Sequence, residues 1–366
     1  MKFSIQRERL LKPLQQIIGA VERRQTMPML GNILLRSNES GMTMTATDLE
    51  IELIATVQVE IEGADEVTLP ARKLLDICRA LPEGVNVTIN SSKGKASIHA
   101  MRSRFVLATL PAADFPVLEN IPADHNINVA EPQLKHLIDC TAFAMAQQDV
   151  RYYLNGLLLH VDQDLLRTVA TDGHRLATCG MSAELQCETP YQVIIPRKGV
   201  HELQRLLTNA ERVVEVEISA NHIRANLPDL CFTSKLIDGR FPDYDRVVPK
   251  DADKTAFVDR SMFRQALART AILSSEKYRG VRLGFQESTM KLQAHNPDQE
   301  EAEEEIEIDY DGRQLEIGFN VNYLLDVLDA IESDNVEIKL TDPNSSALLK
   351  VPASEQALYV VMPMRL

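Results

Sequence analysis

The chain has 366 residues, of which 45% are hydrophobic, and it carries a formal net charge of −14. This length is too great for one ordinary hydrophobic core and predicts two or three domains. The first residues lack the apolar stretch of a signal peptide, and no apolar run approaches the roughly 20 residues of a membrane helix. Five cysteines without a Cys-x-x-Cys pair indicate reduced thiols in a cytoplasmic protein rather than a disulfide scaffold.

The first predicted element is a helix around residues 14–18, although Pro13 within its pattern indicates a kink or a start close to that residue. Alternating strands are predicted at residues 42–47 and 85–89. Between them, residues 73–81 predict an amphipathic helix, because apolar side chains recur at three- and four-residue spacing. These side chains are Leu74, Leu75, Ile77, Cys78 and Leu81.

These patterns return twice further along the chain. A helix leading to a glycine-bearing strand recurs with spacings of 125 and 124 residues, at Gly31, Gly156 and Gly280. Strands that end in polar turns recur 124 residues apart, at Ala46, Ala170 and Ala294. The last strand of each repeat returns after 126 residues, at Leu110, Leu236 and Met362. We therefore predict an α+β fold of three similar domains, 1–122, 123–250 and 251–366.

The charges are unevenly distributed between predicted helices and the remainder. The six helical segments together carry a net charge of +8, so the rest of the −14 chain carries −22. The alternative is that helices simply favour charged residues such as Lys and Arg, but this would raise their Glu content equally, and it does not here. The distribution instead predicts a basic helical face that meets phosphate groups, inside an acidic outer shell. Its candidate DNA contacts include Arg72, Arg79, Arg197, Lys198 and Arg205.

Three similar domains in tandem place similar contact surfaces head to tail, and such contacts can close into a ring. If two helices of about 10 Å width per domain line the hole, three domains leave a hole of roughly 9 Å. Six domains leave roughly 28 Å by the same estimate, and B-DNA is about 20 Å across. Only a dimer of three-domain chains admits the duplex.

The dimer would join the third domain of one chain to the first domain of the other. The apolar pair Ile272-Leu273 beside a polar turn and a strand with Phe105 and Leu107 supply apolar contacts, and an acidic run could oppose basic residues. The acidic run could equally be a solvated surface loop. The candidate residues are Lys73, Arg102, Arg104, Phe105, Leu107, Ile272, Leu273, Glu300, Glu301, Glu303 and Glu304.

Several motifs resemble those of the beta subunit of bacterial DNA polymerase III. They are Asp149-Val150-Arg151-Tyr152-Tyr153-Leu154-Asn155-Gly156, Thr171-Asp172-Gly173-His174-Arg175-Leu176, Asp238-Gly239-Arg240-Phe241-Pro242-Asp243-Tyr244 and the segment Tyr359–Leu366. The resemblance spans the whole chain. It implies the DNA-clamp fold, with three domains per chain and a homodimeric six-domain ring, helices inside and sheets outside.

The resemblance also implies a non-catalytic processivity factor that encircles double-stranded DNA without sequence preference. Family DNA contacts fall on Arg24, Gln148, Tyr152 and Tyr153. The implied partners are the DNA polymerase III alpha subunit, the clamp-loader delta subunit, other polymerases and repair proteins. Each would insert a short peptide into a pocket between the second and third domains.

That pocket, carried over by position, has an adaptable apolar lining suited to varied partners. Its residues would be Arg151, Tyr153, Leu154, Thr171, Gly173, His174, Arg175, Leu176, Pro242, Val247, Asn320, Tyr323, Ser346, Val360, Met362, Pro363, Met364 and Arg365. This chain departs from the family at Asp245, where relatives carry a basic residue, and at Pro343 and Asn344.

Rival interpretations have weaker support. Asp172 and His174 could suggest acid–base catalysis, but the equivalent turns at Asp48 and Asn296 lack a histidine. The Gly94-Lys95 pair lacks the remaining residues of a nucleotide-binding loop, and no cysteine or histidine spacing is typical of zinc. We predict no cofactor or metal. A peptide-binding scaffold that does not bind DNA stays an alternative, which the charge distribution disfavours.

Overall fold

The computed structural model describes residues 1–22, 27–39, 41–63, 66–118, 122–183, 185 and 189–365. The chain divides into two compact units. Unit 1 comprises Met1–Pro132 and His201–Leu236, and unit 2 comprises Gln133–Val200 and Ile237–Leu366. Among the described residues, no helix combines the length and the apolar character needed to span a membrane.

The helices are short and amphipathic. They are α1 (Arg7–Ile17), α2 (Ala71–Ala80), α3 (Glu131–Asp139), α4 (Arg197–Leu206), α5 (Arg260–Thr270) and α6 (Val321–Ala330). Helix α1 passes through Pro13, which is buried and has no N–H to donate to the preceding turn. Helix α2 begins two residues before the predicted start and buries Leu74, Leu75 and Cys78, as the spacing predicts.

The strands of the amino-terminal part are β1 (Lys2–Gln6), β2 (Asn32–Asn38), β3 (Gly41–Thr47), β4 (Ile51–Val57), β5 (Ile61–Glu62), β6 (Glu66–Pro70), β7 (Asn86–Ser92), β8 (Lys95–Ala100) and β9 (Ser103–Ala108). The middle part contains β10 (His125–Ala130), β11 (Gly156–Asp162), β12 (Leu165–Thr171), β13 (Arg175–Ser182), β14 (Tyr191–Pro196), β15 (Val213–Ile218), β16 (His222–Leu227) and β17 (Leu230–Lys235). The remainder contains β18 (Lys254–Asp259), β19 (Gly280–Gln286), β20 (Thr289–His295), β21 (Glu301–Glu307), β22 (Asp309–Tyr310), β23 (Leu315–Asn320), β24 (Asn335–Leu340), β25 (Ala347–Lys350) and β26 (Ala357–Val361).

The same order of elements occurs three times along the chain. Each repeat has a strand, a helix, four strands, a second helix and three strands, apart from the two-residue additions β5 and β22. Two of the repeating glycines, Gly156 and Gly280, begin the equivalent strands β11 and β19. The predicted threefold repetition is therefore confirmed at the level of secondary structure.

Unit 1 contains two sheets. The smaller has the order β5-β1-β7-β8-β9, and the larger has the order β10-β15-β16-β17-β4-β3-β2-β6. In the larger sheet, β17 pairs antiparallel with β4, with Ser234 opposite Ile51 and Leu230 opposite Ala55. This pairing joins strands from the first and second repeats into one continuous sheet.

Unit 2 is built on the same plan. Its larger sheet has the order β14-β11-β12-β13-β26-β25-β24-β18-β22, and its smaller sheet has the order β21-β20-β19-β23. Here β26 pairs antiparallel with β13, with Val361 opposite Arg175 and Ala357 opposite Cys179. The second and third repeats are thus joined by the strands equivalent to β17 and β4.

Candidate functional site

The β13–β26 pair carries the centre of the predicted peptide pocket. Leu176 lies opposite Val360, both side chains are buried, and Tyr153 packs against the apolar cluster that they form. The other buried members of this cluster are Leu158, Val169, Ile194, Phe241, Tyr244 and Leu348. The sequence analysis named Leu176, Val360 and Tyr153 as pocket residues but did not name Leu158, Val169, Ile194 or Leu348. Phe241 and Tyr244 appeared there only as members of the motif at residues 238–244.

The turn before β13 is held by its own polar side chains. The Thr171 hydroxyl donates to the Arg175 carbonyl at 2.5 Å and accepts from the Gly173 N–H at 3.1 Å. One Asp172 carboxylate oxygen accepts from the N–H groups of His174 and Arg175. Gly173 has a φ of +86°, a conformation that residues with a Cβ rarely adopt. The turn therefore presents the half-buried Gly173 and the exposed His174 in a defined geometry.

Arg151 spans this turn. Its guanidinium donates two hydrogen bonds to the Asp149 carboxylate, at 3.0 and 2.8 Å, and one to the Asp172 carbonyl at 3.3 Å. The hydrogen bonds from Arg151 lower the pKa of Asp149 to about 2. Because this pair is largely exposed, it orients Arg151 more than it stabilises the fold.

The Arg175 side chain is less exposed than that of Arg151 and connects three segments of unit 2. Its guanidinium donates to Asp172 at 3.1 Å, to the Phe143 carbonyl at 2.6 Å and to Asp326. It also lies 4.5 Å from the centre of the Tyr323 ring, a cation–π distance. Burial, followed by the charge of Asp172, raises the pKa of the Tyr323 hydroxyl. Arg175 therefore connects this turn to Tyr323 and Asp326 of α6.

The segment after β26 continues along the pocket. The Met362 N–H donates to the His174 carbonyl at 2.9 Å, and the Met364 N–H donates to the Gly318 carbonyl at 2.8 Å. Met362 is exposed, Pro363 and Met364 are half-buried, and Arg365 is exposed. Backbone hydrogen bonds thus fix the path of this segment, from the turn at His174 to β23.

The other predicted pocket residues differ in exposure. Pro242 and Val247 are exposed, Ser346 is half-buried, and Leu154 is fully buried. Asn320 caps α6, because its side chain accepts from the Asn322 N–H at 2.9 Å. Leu154 and Asn320 therefore shape the wall rather than offer free surface.

The residues that depart from the family lie near this wall. The Asp245 carboxylate is 3.9 Å from the Arg167 guanidinium, which also donates to the Tyr244 hydroxyl at 3.4 Å. The Asn344 N–H donates to Asp342 at 2.7 Å, and both Pro343 and Asn344 are exposed. Asp245 thus adds a negative charge that Arg167 offsets only in part.

The predicted DNA-contact residues do not all present free cationic groups. Arg197 is half-buried, its guanidinium donates to the Met145 carbonyl at 2.8 Å, and burial followed by the charge of Arg175 lowers its pKa. Arg205 pairs with Glu202 and donates to the carbonyls of Gln15 and Gln16 at the end of α1.

The remaining predicted contacts are more open. Arg72, Arg79, Lys198, Gln148 and Tyr152 are exposed, and the Tyr152 ring stands edge-on to Tyr153. Arg24 lies outside the described residues.

Most of the predicted dimer residues lie on or next to two strands at sheet edges, whereas Lys73 lies on α2 and Ile272 and Leu273 follow α5. Within the described residues, β9 pairs only with β8, and β21 pairs only with β20. Strand β9 carries Arg104, Phe105 and Leu107. Strand β21 carries Glu301, Glu303 and Glu304, which follow Glu300. Lys73 and Arg102 are exposed, as is Ile272 at 75%, and Leu273 is half-buried.

Two of the acidic residues already have partners within the chain. Glu303 lies 2.8 Å from the Lys291 ammonium, and Glu304 accepts two hydrogen bonds from Arg269, at 2.6 and 2.9 Å. The alternative of a solvated surface loop is wrong about the loop, because residues 301–307 form a strand, but Glu300, Glu301 and Glu303 are exposed to solvent as it states.

Models of the three domains of the DNA polymerase III beta subunit match residues 1–119, 128–243 and 245–365, in the order N-terminal, central and C-terminal. The beta sliding clamps of Pseudomonas putida and Escherichia coli are 55% and 50% identical to this chain, with 100% of each chain covered. The chain belongs to the DNA polymerase III beta subunit family.

Solved structures of this family agree with the assignment. The DNA polymerase III subunit beta of Pseudomonas aeruginosa matches with a TM-score of 0.96 at 52% identity, over 100% of both chains. A beta sliding clamp of Caulobacter crescentus matches with a TM-score of 0.95 at 40% identity, over 100% of this chain and 99% of the other. The predicted family, fold class and function as a DNA sliding clamp for polymerase processivity are confirmed. The domain boundaries at 122 and 250 and the individual site residues stay predictions.

Proposed function

We propose that two copies of this chain close into a ring around duplex DNA and tether the replicative polymerase to it. The observation that carries this proposal is the repeated strand pairing. Strand β4 pairs with β17, and its equivalent β13 pairs with β26 in the same register. The third strand of this set, β21, has a free edge within the described residues, as does β9, the equivalent of β17 and β26.

The repeated register predicts the contact between copies in detail. Ile51 lies opposite Ser234, and its equivalent Arg175 lies opposite Val361. When the same register is applied to β21 of one copy and β9 of the other, Glu303 lies opposite Arg104 and Ala302 lies opposite Phe105. A directly opposed cross-strand pair of opposite charge stabilises a sheet by about 0.2–1 kcal/mol. The contact would form twice, because the two copies are related by symmetry.

The pocket beside β13 and β26 would bind short peptides with apolar anchors. Leu176 and Val360 supply a buried apolar floor, and Met362 supplies an exposed, flexible thioether that adapts to different side chains. Partners of this kind are the DNA polymerase III alpha subunit, the clamp-loader delta subunit, and other polymerases and repair proteins. The exposed Asp245 would favour partner segments with a basic residue at the rim.

The DNA contacts would be weak and independent of sequence, because a closed ring leaves DNA only at an end or by opening. Exposed Arg72, Arg79, Lys198, Gln148 and Tyr152 are the contacts that we favour, together with Tyr153 and Arg24. Arg197 and Arg205 would contribute positive potential rather than direct bonds, since Arg197 is half-buried and Arg205 is bonded to Glu202 and two carbonyl groups. Among the described residues, Arg72 makes only one long bond, to the Val21 carbonyl at 3.4 Å. Contacts to phosphate alone position a protein without reading bases. No step of this function requires catalysis.

Retention on circular DNA tests encirclement. A clamp loader and ATP place the chain on nicked circular DNA, and gel filtration separates bound from free protein. We expect the protein to stay bound to the circle through a wash at 0.5 M NaCl, which weakens ordinary phosphate contacts by orders of magnitude. The bound protein should leave within minutes after one restriction cut. Equal retention before and after the cut would contradict encirclement and favour ordinary binding.

A further inference from the structure

Unit 2 contains a buried cluster of metal-ligating side chains that the clamp function does not use. His136, Cys140 and Cys179 each offer one ligand atom, and these atoms all lie within 4.8 Å of one another. Cys140 and Cys179 are buried, at 4% and 0% exposure, and His136 is half-buried. A small ion could therefore reach the cluster from solvent on the side where His136 is partly exposed.

The backbone holds the cluster in position. His136 lies in the last turn of α3, and the Cys140 N–H donates to the His136 carbonyl at 3.0 Å, so the two side chains lie on one side of the helix end. The next residue, Thr141, donates its hydroxyl to the Leu137 carbonyl at 2.7 Å, and its oxygen lies 3.0 Å from the Thr168 hydroxyl, from which it can accept. These buried bonds tie the helix end to β12, the strand next to that of Cys179.

The atom spacing suits tetrahedral zinc. With bonds of about 2.3 Å to sulfur and about 2.05 Å to nitrogen, a tetrahedral zinc ion separates the two ligand atoms by about 3.6 Å. The His136 Nε2 and Nδ1 atoms lie 3.6 and 3.8 Å from the Cys140 Sγ atom, so the imidazole would turn on binding to direct one nitrogen at the ion. Two sulfurs and one imidazole also form a ligand set found in zinc proteins. A water molecule would complete four ligands.

We propose that His136, Cys140 and Cys179 form a zinc site with one ion per chain. On binding, Zn²⁺ loses waters and gains two bonds to sulfur and one to nitrogen, while the two thiols release their protons to solvent. No electron is transferred. A Cys140–Cys179 disulfide would use the same sulfurs, but it needs an oxidant and gives the adjacent imidazole no role.

The site lies on the reverse face of the sheet that carries the pocket. Because side chains alternate along a strand, Cys179 and Tyr359 point away from the face that bears Leu176 and Val360. Bound zinc would link the end of α3 to β13 and stabilise unit 2, whether or not a partner peptide is bound. The zinc proposal therefore does not depend on the pocket.

Metal binding by the full-length, reduced chain tests the proposal. Zn²⁺ is titrated against a chromophoric chelator, and Co²⁺ is used as a spectroscopic probe. We expect about one zinc per chain and, with Co²⁺, sulfur-to-metal charge-transfer absorption with intense tetrahedral bands. Cys140→Ser and Cys179→Ser should bind zinc about a hundredfold or more weakly. His136→Gln should weaken binding while retaining both sulfurs.

The matched control is Cys78→Ser, which removes a buried thiol of unit 1 and should bind zinc like the unaltered chain. Zinc should also raise the thermal midpoint of the unaltered chain and of the control. Absence of the charge-transfer band in the unaltered chain would overturn the proposal, and this readout does not depend on any variant folding. Zinc uptake that the double variant Cys140→Ser, Cys179→Ser retains would also overturn it.

Discussion

At the scale of single residues, Glu131 shows how buried charge stabilises unit 1. Its side chain is fully buried and accepts hydrogen bonds from the Thr208 N–H, the Thr208 hydroxyl and Arg212. Burial raises the pKa of Glu131, but these hydrogen bonds outweigh it and lower the pKa below its usual value. A carboxylate with a lowered folded pKa adds stability above its unfolded pKa, and this stability is lost as the pH falls through the folded pKa.

We expect Glu131→Gln to reduce the free energy of unfolding by about 2 kcal/mol at pH 7, because Arg212 loses its charged partner. The difference from the unaltered chain should shrink as the pH falls below 4.5, the ordinary pKa of a glutamate side chain. Urea unfolding at pH 7 and at pH 3.5 measures both effects. Glu211→Gln, at the exposed position next to Arg212, is the control. An undiminished difference at pH 3.5 would show that the carboxylate charge is not responsible.

The sequence predicted many site residues but few of their partners. Arg151 and Arg175 were named from the family motifs, whereas the roles of Asp149 and Asp172 depend on a turn whose geometry requires a positive φ at Gly173. The sequence analysis did not predict the ligands of the proposed zinc site for a similar reason. Cys140 and Cys179 are 39 residues apart, so only the folded sheet brings their side chains together, and no short spacing signals them.

At the scale of elements, the segment after β26 is the part of the pocket that can be removed with least effect on the fold. Deleting residues 362–366 removes two backbone hydrogen bonds and the exposed Met362. We expect the Kd for a fluorescent peptide from the polymerase alpha subunit to rise about thirtyfold or more, the equivalent of about 2 kcal/mol. Fluorescence anisotropy measures this change. Light scattering should show an unchanged dimer, and unchanged peptide affinity would refute the role of this segment.

Element types were predictable, whereas strand partners were not. The apolar spacing of residues 73–81 predicted α2 to within two residues at its start, because a helix depends on local periodicity. The pairings of β17 with β4 and of β26 with β13 join residues about 180 positions apart, and local patterns carry no information about them. Only the comparison of these two pairings reveals the register expected for β21 and β9.

At the scale of the whole molecule, that register yields a charge-reversal test of the proposed ring. Arg104→Glu would oppose two carboxylates at each of two contacts, and at about 1 kcal/mol per contact the dimer Kd should rise about thirtyfold. Adding Glu303→Arg to the same chain restores opposite charges, so the double variant should return to within about threefold of the unaltered Kd. Sedimentation equilibrium at 0.1 M NaCl measures all three values. Arg36→Glu makes the same charge change on an exposed part of β2 and should leave the Kd unaltered. A double variant no tighter than Arg104→Glu would mean that these residues do not face each other, and that the β21–β9 pairing does not follow the register of the other two.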